Sequence, residues 1–334
     1  MSKFLDDCHN AMKKQAESIA KTLKGIDRKE VYTIKDKDLI VFLGAGDSYA
    51  VAEFGKDVFL AIGKSAVSLS PHEIERLRLT DRAIVIGITA SGRSLSTIKA
   101  LEHAKKEGVD TVVLTDDTGG AATQVADHKW VTDSGVTSYN IAPTSPTTCA
   151  MAYLLKLAML REAMPHSRLH EDSHRFEHHL EELIPWADKT GKEIADMIDV
   201  NRTLFLLGEG AQYVAAQIGM MKFNEFSLLK SVPVIKEEFQ HHYNLVVEDD
   251  DQVVVISDRI TEDTDEKFIN VMKDVLHMEV YRLQTPKDLR LESTFGQAIA
   301  NTIALQFAAY YTVLKQSPSM EWFKLPNAKA FDIY

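Results

Sequence analysis

The sequence predicts an α/β protein made of two tandem, doubly wound parallel sheets, and three observations point there. Short unbroken Val/Ile/Leu runs alternate with helix-length segments, the pattern of parallel strands covered on both faces by crossover helices. One plan is also written twice. A strand runs into Gly44-Ala45-Gly46 and a helix, and later into Gly208-Glu209-Gly210 and a helix, each glycine repeating after 164 residues. Finally, 334 residues suit two domains of about 150 residues each.

Taken in order, residues 1–23 show helical spacing in Phe4, Cys8, Met12, Ala16 and Ile19. The first strand is read at 38–43, with a helix from about Ser48. Two more apolar runs follow at 83–88 and 111–114. A charged, helix-patterned connector containing Pro185-Trp186 joins the halves. The second half repeats the pattern with strands at 202–207, 252–256 and 279–283 and a helix from Gln212. Phe307, Tyr310, Tyr311 and Leu314 have the spacing of a core-facing helix stripe. Residues 316–334, with Pro318 and Pro326 and no period, read as irregular. The expected boundaries are 1–165 for an N-terminal helix plus the first domain, 166–199 for the connector, 200–315 for the second domain and 316–334 for the tail.

Composition narrows the function. Lys and Arg number 38 against 49 Asp and Glu, a net charge of −11, which argues against a nucleic-acid binder because phosphate neutralisation needs a basic face. A small anion held by a few local donors remains compatible with that charge. Cys8 and Cys149 are too few for a disulfide framework or a Cys-rich zinc site. Apolar runs such as 39–43 and 253–256 are far shorter than a membrane span. The start, Met1-Ser2-Lys3-Phe4-Leu5-Asp6-Asp7, turns acidic where a signal peptide needs its apolar core. The expectation is a cytoplasmic protein with no membrane or nucleic-acid partner.

Ligands of parallel α/β sheets bind beyond the carboxyl ends of the strands. Two hydroxyl-rich loops belong there, Gly44-Ala45-Gly46-Asp47-Ser48-Tyr49 and Thr89-Ala90-Ser91-Gly92-Arg93-Ser94. Each opens a helix, where backbone N–H groups and the positive end of the dipole favour an anion. Neither is a Walker loop, and the first lacks the third glycine of a dinucleotide fingerprint. Simple capping by Ser48 and Ser91 is the plainer alternative. Two loops of the same chemistry at adjacent strand ends favour a ligand.

These residues resemble the SIS (sugar isomerase) domain family, within it the isomerase part of the glucosamine-6-phosphate synthases, from about Asp38 to Tyr334. The resemblance implies a flavodoxin-like SIS fold in each half. The family's Gly-Thr-Ser-Tyr and Ser-Gln-Ser-Gly-Glu-Thr loops hold a sugar 6-phosphate. They place hydroxyl contacts on Ser48, Thr89, Ser91 and Ser94, with Gly46, Asp47, Ala90 and Arg93 completing the substrate-binding set. The segment 140–145 is similar to a family loop that lies along the sugar and brings in Ala142. From Leu207 to Tyr243 the resemblance runs without a gap. It implies a proton-shuttling glutamate at Glu225, with Lys222 beside it, and a ring-opening histidine at His241. Pro326-Asn327-Ala328-Lys329 resembles the family's carboxyl tail, which puts Ala328 and the sugar-contacting lysine, Lys329, in the active site.

The chemistry so implied is aldose–ketose interconversion through an enediol or enolamine. One carboxylate, Glu225, moves a proton between neighbouring sugar carbons. Lys222, one turn earlier on the same face, supplies a counter-charge. Histidine suits ring opening because its intrinsic pKa lies near neutrality. Lys329 can polarise the carbonyl or condense with it. Taken alone, Glu225 reads as a solvated helix residue, and His241-His242 and Lys329 as exposed surface.

Departures from the family leave the sugar open. Asp47 replaces a threonine and sets a carboxylate beside the expected phosphate, while Arg93 replaces a glutamate and can meet an anion directly. His242-Tyr243 replaces Gly-Pro, Ile218 a carboxylate and Asn224 a lysine. The family's glutaminase domain is expected to be absent, because the first sheet begins by Asp38. The leading expectation is an isomerase or deaminase of a 6-anionic hexose, a homodimer with shared active sites, with no cofactor and no metal. Alternatives are a fructosamine-6-phosphate deglycase, an isomerase of a 6-sulfonate hexose, and a non-catalytic phosphosugar-binding regulator.

Two further features read as structural. His166, His170, His174 and His178 form one stripe that could hold a metal pairwise, but it spans three turns and fits a solvated or subunit-contact helix better. Glu248-Asp249-Asp250-Asp251 lacks calcium-loop spacing and reads as an acidic turn.

Overall fold

Strands whose residues are nearly all apolar must lie between two layers of helices, and the chain builds two such sheets. The computed structural model describes residues 2–136, 145–162, 164, 166–178, 180–321 and 330–333. The first sheet comprises β1 (Leu39–Leu43), β2 (Ala66–Leu69), β3 (Ala83–Ile88), β4 (Asp110–Thr115) and β5 (His128–Val131), in the order β2-β1-β3-β4-β5. The second comprises β6 (Leu204–Gly208), β7 (Ser231–Ile235), β8 (Gln252–Ser257) and β9 (Glu279–Gln284), in the order β7-β6-β8-β9. Every pairing is parallel. The chain is therefore α/β with two doubly wound sheets, and strand order reverses between β1 and β3 and again between β6 and β8.

Three strands have no counterpart in the sequence reading: β2, β5 and β7. All are sheet edges. An edge strand is covered less completely, so it needs no unbroken apolar run. In β5 only Trp130 is buried, and β7 accommodates Pro233, which an edge tolerates.

The chain divides into two compact units. One holds described residues 17–136, 145–178 and 330–333, the other 2–16 and 180–321. Helix Lys3–Lys13, expected with the first sheet, thus groups with the second. Its buried stripe is Leu5, Cys8 and Met12; Phe4 meets Phe226 edge-on at 6.2 Å, and His9 stacks on Tyr310 at 4.8 Å. The connector read at 166–199 is likewise divided. Helix Arg168–Glu177 belongs to the first unit and helix Leu183–Met197 to the second. The last helix, Thr294–Gln316, is the core of the second unit, with Phe307 and Tyr310 fully buried and Tyr311 and Leu314 partly so.

Candidate functional site

In the first unit, β1 and β3 lie side by side with Leu43 opposite Gly87, so the loops that follow them open at one carboxyl edge. This is the switch point of the sheet, where ligands of such folds bind. Gly46 has φ +59° and ψ −132° and caps helix Asp47–Ala61; Gly210 has φ +51° and ψ −126° and caps helix Ala211–Lys222. A Cβ on Gly44 or Gly208 would fall 2.5 or 2.4 Å from backbone atoms of Ser48 or Gln212. The two halves thus share one turn, and it needs glycine at both places.

Asp47 is the first residue of its helix, where the dipole favours a carboxylate, and its Oδ2 accepts a hydrogen bond from Thr147 Oγ1 at 3.0 Å. Ser48 follows in the same turn. In the β3 loop, Thr89 is buried and its N–H donates to Leu114 O. The Ala90 carbonyl accepts from the N–H groups of Asp116 and Asp117 and from Thr115 Oγ1, which ties this loop to the end of β4. Ser91 is half-buried in the loop. Ser94, not Ser91, occupies the cap of helix Leu95–Lys106, and Gly46, not Ser48, caps the other helix; neither makes a side-chain capping bond. The Ser94 hydroxyl instead accepts from Thr97 Oγ1 at 3.2 Å. The N–H of Leu95 donates to the Ile333 carbonyl at 3.3 Å, so the described end of the tail reaches this loop.

Arg93 is exposed, and its Nη2 lies 3.2 Å from Asp117 Oδ2; Asp117 Oδ1 accepts from the Gly119 N–H at 2.9 Å. Asp116 accepts from Thr132 Oγ1 and from both the N–H and Oγ of Ser134. Sequence reasoning missed Asp116, Asp117 and Thr147. The two aspartates were within its reach, because they follow the third apolar run and so belong to the same strand edge.

In the second unit, Glu225 is not in the middle of an α-helix. Helix Ala211–Lys222 ends in a π-helical turn, Phe223–Ser227, closed by Leu228 in the left-handed region, and Glu225 lies inside that turn. Lys222 is buried, and its Nζ is 3.0 Å from Glu225 Oε2, whose side chain is 45% exposed. Side chains pin the turn on both sides. Phe226 packs between Phe4 and Tyr310, Ser227 Oγ donates to Ala309 O at 2.8 Å, and Asn224 Oδ1 accepts from the N–H and Oγ of Ser231. Single π turns cost regular helix bonding and often coincide with functional sites.

His241 ends helix Lys236–His241, its Nε2 3.0 Å from Glu237 Oε1, with both side chains mostly exposed. At the start of that helix, buried Lys236 donates to both oxygens of buried Asp265 at 2.7 Å, and Thr261 Oγ1 donates to the same carboxylate. Next to it, at the switch point of the second sheet, Asp258 accepts from the N–H groups of Ile260 and Thr261 and from Thr294 Oγ1.

Ala142, Ala328 and Lys329 lie outside the described residues. The histidine stripe is split, with His166 before helix Arg168–Glu177, His170 and His174 within it, and His178 just beyond. The His174 and His178 rings stack at 4.1 Å, and among the described residues no group of three or more His, Cys, Asp or Glu could hold a metal ion. In the turn 248–251, Asp251 Oδ2 accepts the Glu248 N–H. No described helix is long and apolar enough to cross a membrane. A shallow cavity of about 690 Å³ lies by Asp110, His128 and Lys37, at the amino ends of β4 and β5 and away from these loops.

Comparison with known proteins gives the same picture. The model of the SIS domain matches residues 33–160 and 197–275. A glutamine–fructose-6-phosphate aminotransferase (isomerizing) of Thermococcus kodakarensis is 28% identical over 67% of this chain and 39% of its own length. Its counterpart in Pyrococcus horikoshii is 27% identical over 83% of this chain and 45% of its own length. The chain thus spans less than half of these relatives. Among solved structures, the C-terminal domain of the Francisella tularensis glucosamine-fructose-6-phosphate aminotransferase superimposes with a TM-score of 0.76 at 18% identity, covering 92% of this chain and 95% of that one. The Escherichia coli tagatose-6-phosphate ketose/aldose isomerase gives 0.76 at 17% identity, covering 93% and 94%. At such identity the structures speak for the fold.

Proposed function

The chain belongs to the SIS domain family, and from that membership we propose that it is an isomerase or deaminase of a hexose carrying an anion at carbon 6. One observation carries the reading: a half-exposed carboxylate, Glu225, is held by the buried ammonium of Lys222 in a π-helical turn. A base that takes a proton from one sugar carbon and returns it to the next must be reachable and fixed in place. The Lys222 contact and the packing of Phe226 serve those needs. In this reading His241 exchanges the proton that opens the sugar ring, and Lys329 polarises the carbonyl. The loops of Gly46, Asp47, Ser48, Thr89, Ala90, Ser91, Arg93 and Ser94 hold the anion, with Ala142 and Ala328 along the sugar. Anchoring at a remote anion turns binding energy into alignment at the reacting carbons.

The test is incubation with fructose 6-phosphate in heavy water, with and without ammonia, followed by NMR of the sugar. Deuterium should enter at the carbon beside the carbonyl. Glu225→Gln should lower kcat by about 10²- to 10⁴-fold with KM changed little. Failure of every 6-phosphorylated and 6-sulfonated ketose and amino sugar to exchange would sink the proposal. The same reading includes a cytoplasmic homodimer whose subunits share active sites. Full activity in a species that sediments as a monomer would overturn that part.

A further inference from the structure

The sugar-anion reading leaves open what charge the anion carries, and the inference drawn here rests on that reading. The described loop residues 44–48, 89–94 and 115–120 hold three carboxylates, Asp47, Asp116 and Asp117, and one cation, Arg93. Asp116 is engaged by three internal donors. Asp117 is anchored by the Gly119 N–H, whereas Arg93, its partner at 3.2 Å, leaves 66% of its side chain exposed. The carboxylate is therefore fixed, and the guanidinium is the partner that can turn away. An exposed pair of this kind contributes little stability, so Arg93 can exchange Asp117 for a ligand anion at small cost. The charge of Asp117 stays behind.

We propose that Asp117 sets specificity as a resident counter-anion: it lets Arg93 engage a sugar substituent with one negative charge and disfavours one with two. A single charge on the ligand replaces Asp117 on the guanidinium, one anion for another. A second charge finds no further cation among these loops and meets Asp117 and Asp47 instead. The ligand class is a hexose bearing a sulfonate, a carboxylate or a singly ionised phosphate ester.

Calorimetric titration of the whole protein tests this at about pH 8, where a phosphate ester is almost wholly dianionic. The ligands are fructose 6-phosphate and the 6-deoxy-6-sulfonate of fructose, a monoanion of similar shape. The wild type should bind the sulfonate about three- to tenfold more tightly. Asp117→Asn keeps the acceptor for Gly119 and should bring the two affinities within about twofold, by tightening the phosphate. Arg93→Gln should weaken both. A wild type that prefers the phosphate, or an Asp117→Asn ratio equal to that of the wild type, overturns the proposal. Binding of neither sugar would overturn the sugar-anion reading, and this proposal with it.

Discussion

The ammonium of Lys236 and the carboxylate of Asp265 are both shut away from water, so each depends on the other. Removing one partner of such a pair strands a buried charge, and Asp265→Ala should cost about 3–5 kcal/mol in urea unfolding. Replacing both, as Lys236→Met with Asp265→Leu, should be neutral or stabilising. Gly46 offers a second test. Its side-chain space is open, so Gly46→Ala should cost only the strain of a positive φ, about 1–3 kcal/mol. Gly44→Ala meets Ser48 backbone at 2.5 Å and should be the more damaging of the two in the same assay. At this scale the sequence made Lys222 and Glu225 visible as neighbours, because helical residues three positions apart lie within reach of each other. It could not show that Arg93 pairs with Asp117, or Asp47 with Thr147. Those partners come from other elements, 24 and 100 residues away along the chain.

Central strands announced themselves as apolar runs, whereas the edges β2, β5 and β7 did not, since half-covered strands carry mixed residues. The π turn was equally hidden: nothing in Phe223-Asn224-Glu225-Phe226-Ser227 distinguishes it from one more turn of α-helix. What fixes it is packing supplied from elsewhere, including helix Lys3–Lys13 through Phe4. That helix has a pH dependence. Burial, helped by the charge of Lys13, holds the His9 imidazole below its ordinary value of 6.5, against the pull of Asp188 and Asp6. A depressed histidine is neutral in the folded state while the unfolded chain already takes up its proton. His9 therefore contributes stability that is present above about pH 6.5 and lost as pH falls through the folded value. Between about pH 7.5 and 5.5 the urea midpoint should fall further in the wild type than in His9→Phe, which retains the stack on Tyr310. Equal slopes would show that His9 does not titrate with folding.

Across the whole chain, two halves with the same glycine turn have come to different ends. In the first, no carboxylate is bonded to the backbone N–H groups of loop residues 90–94 among the described residues. In the second, Asp258 holds the N–H groups of Ile260 and Thr261 and the hydroxyl of Thr294. The second switch point carries its own anion, so titration with a binding sugar should saturate at one ligand per chain. Two ligands per chain would refute this. The repeat itself was plain in the sequence; which copy had closed was not, because closure depends on a side chain folding back onto its own loop. Asp258 also makes that closure hard to reverse. A mutation that removed it would leave two N–H groups and a hydroxyl without their acceptor, so freeing this loop for an outside anion should also make the protein less stable. A loop whose N–H groups are already held by its own carboxylate leaves those donors nothing to offer an outside anion, and in this the two switch points differ.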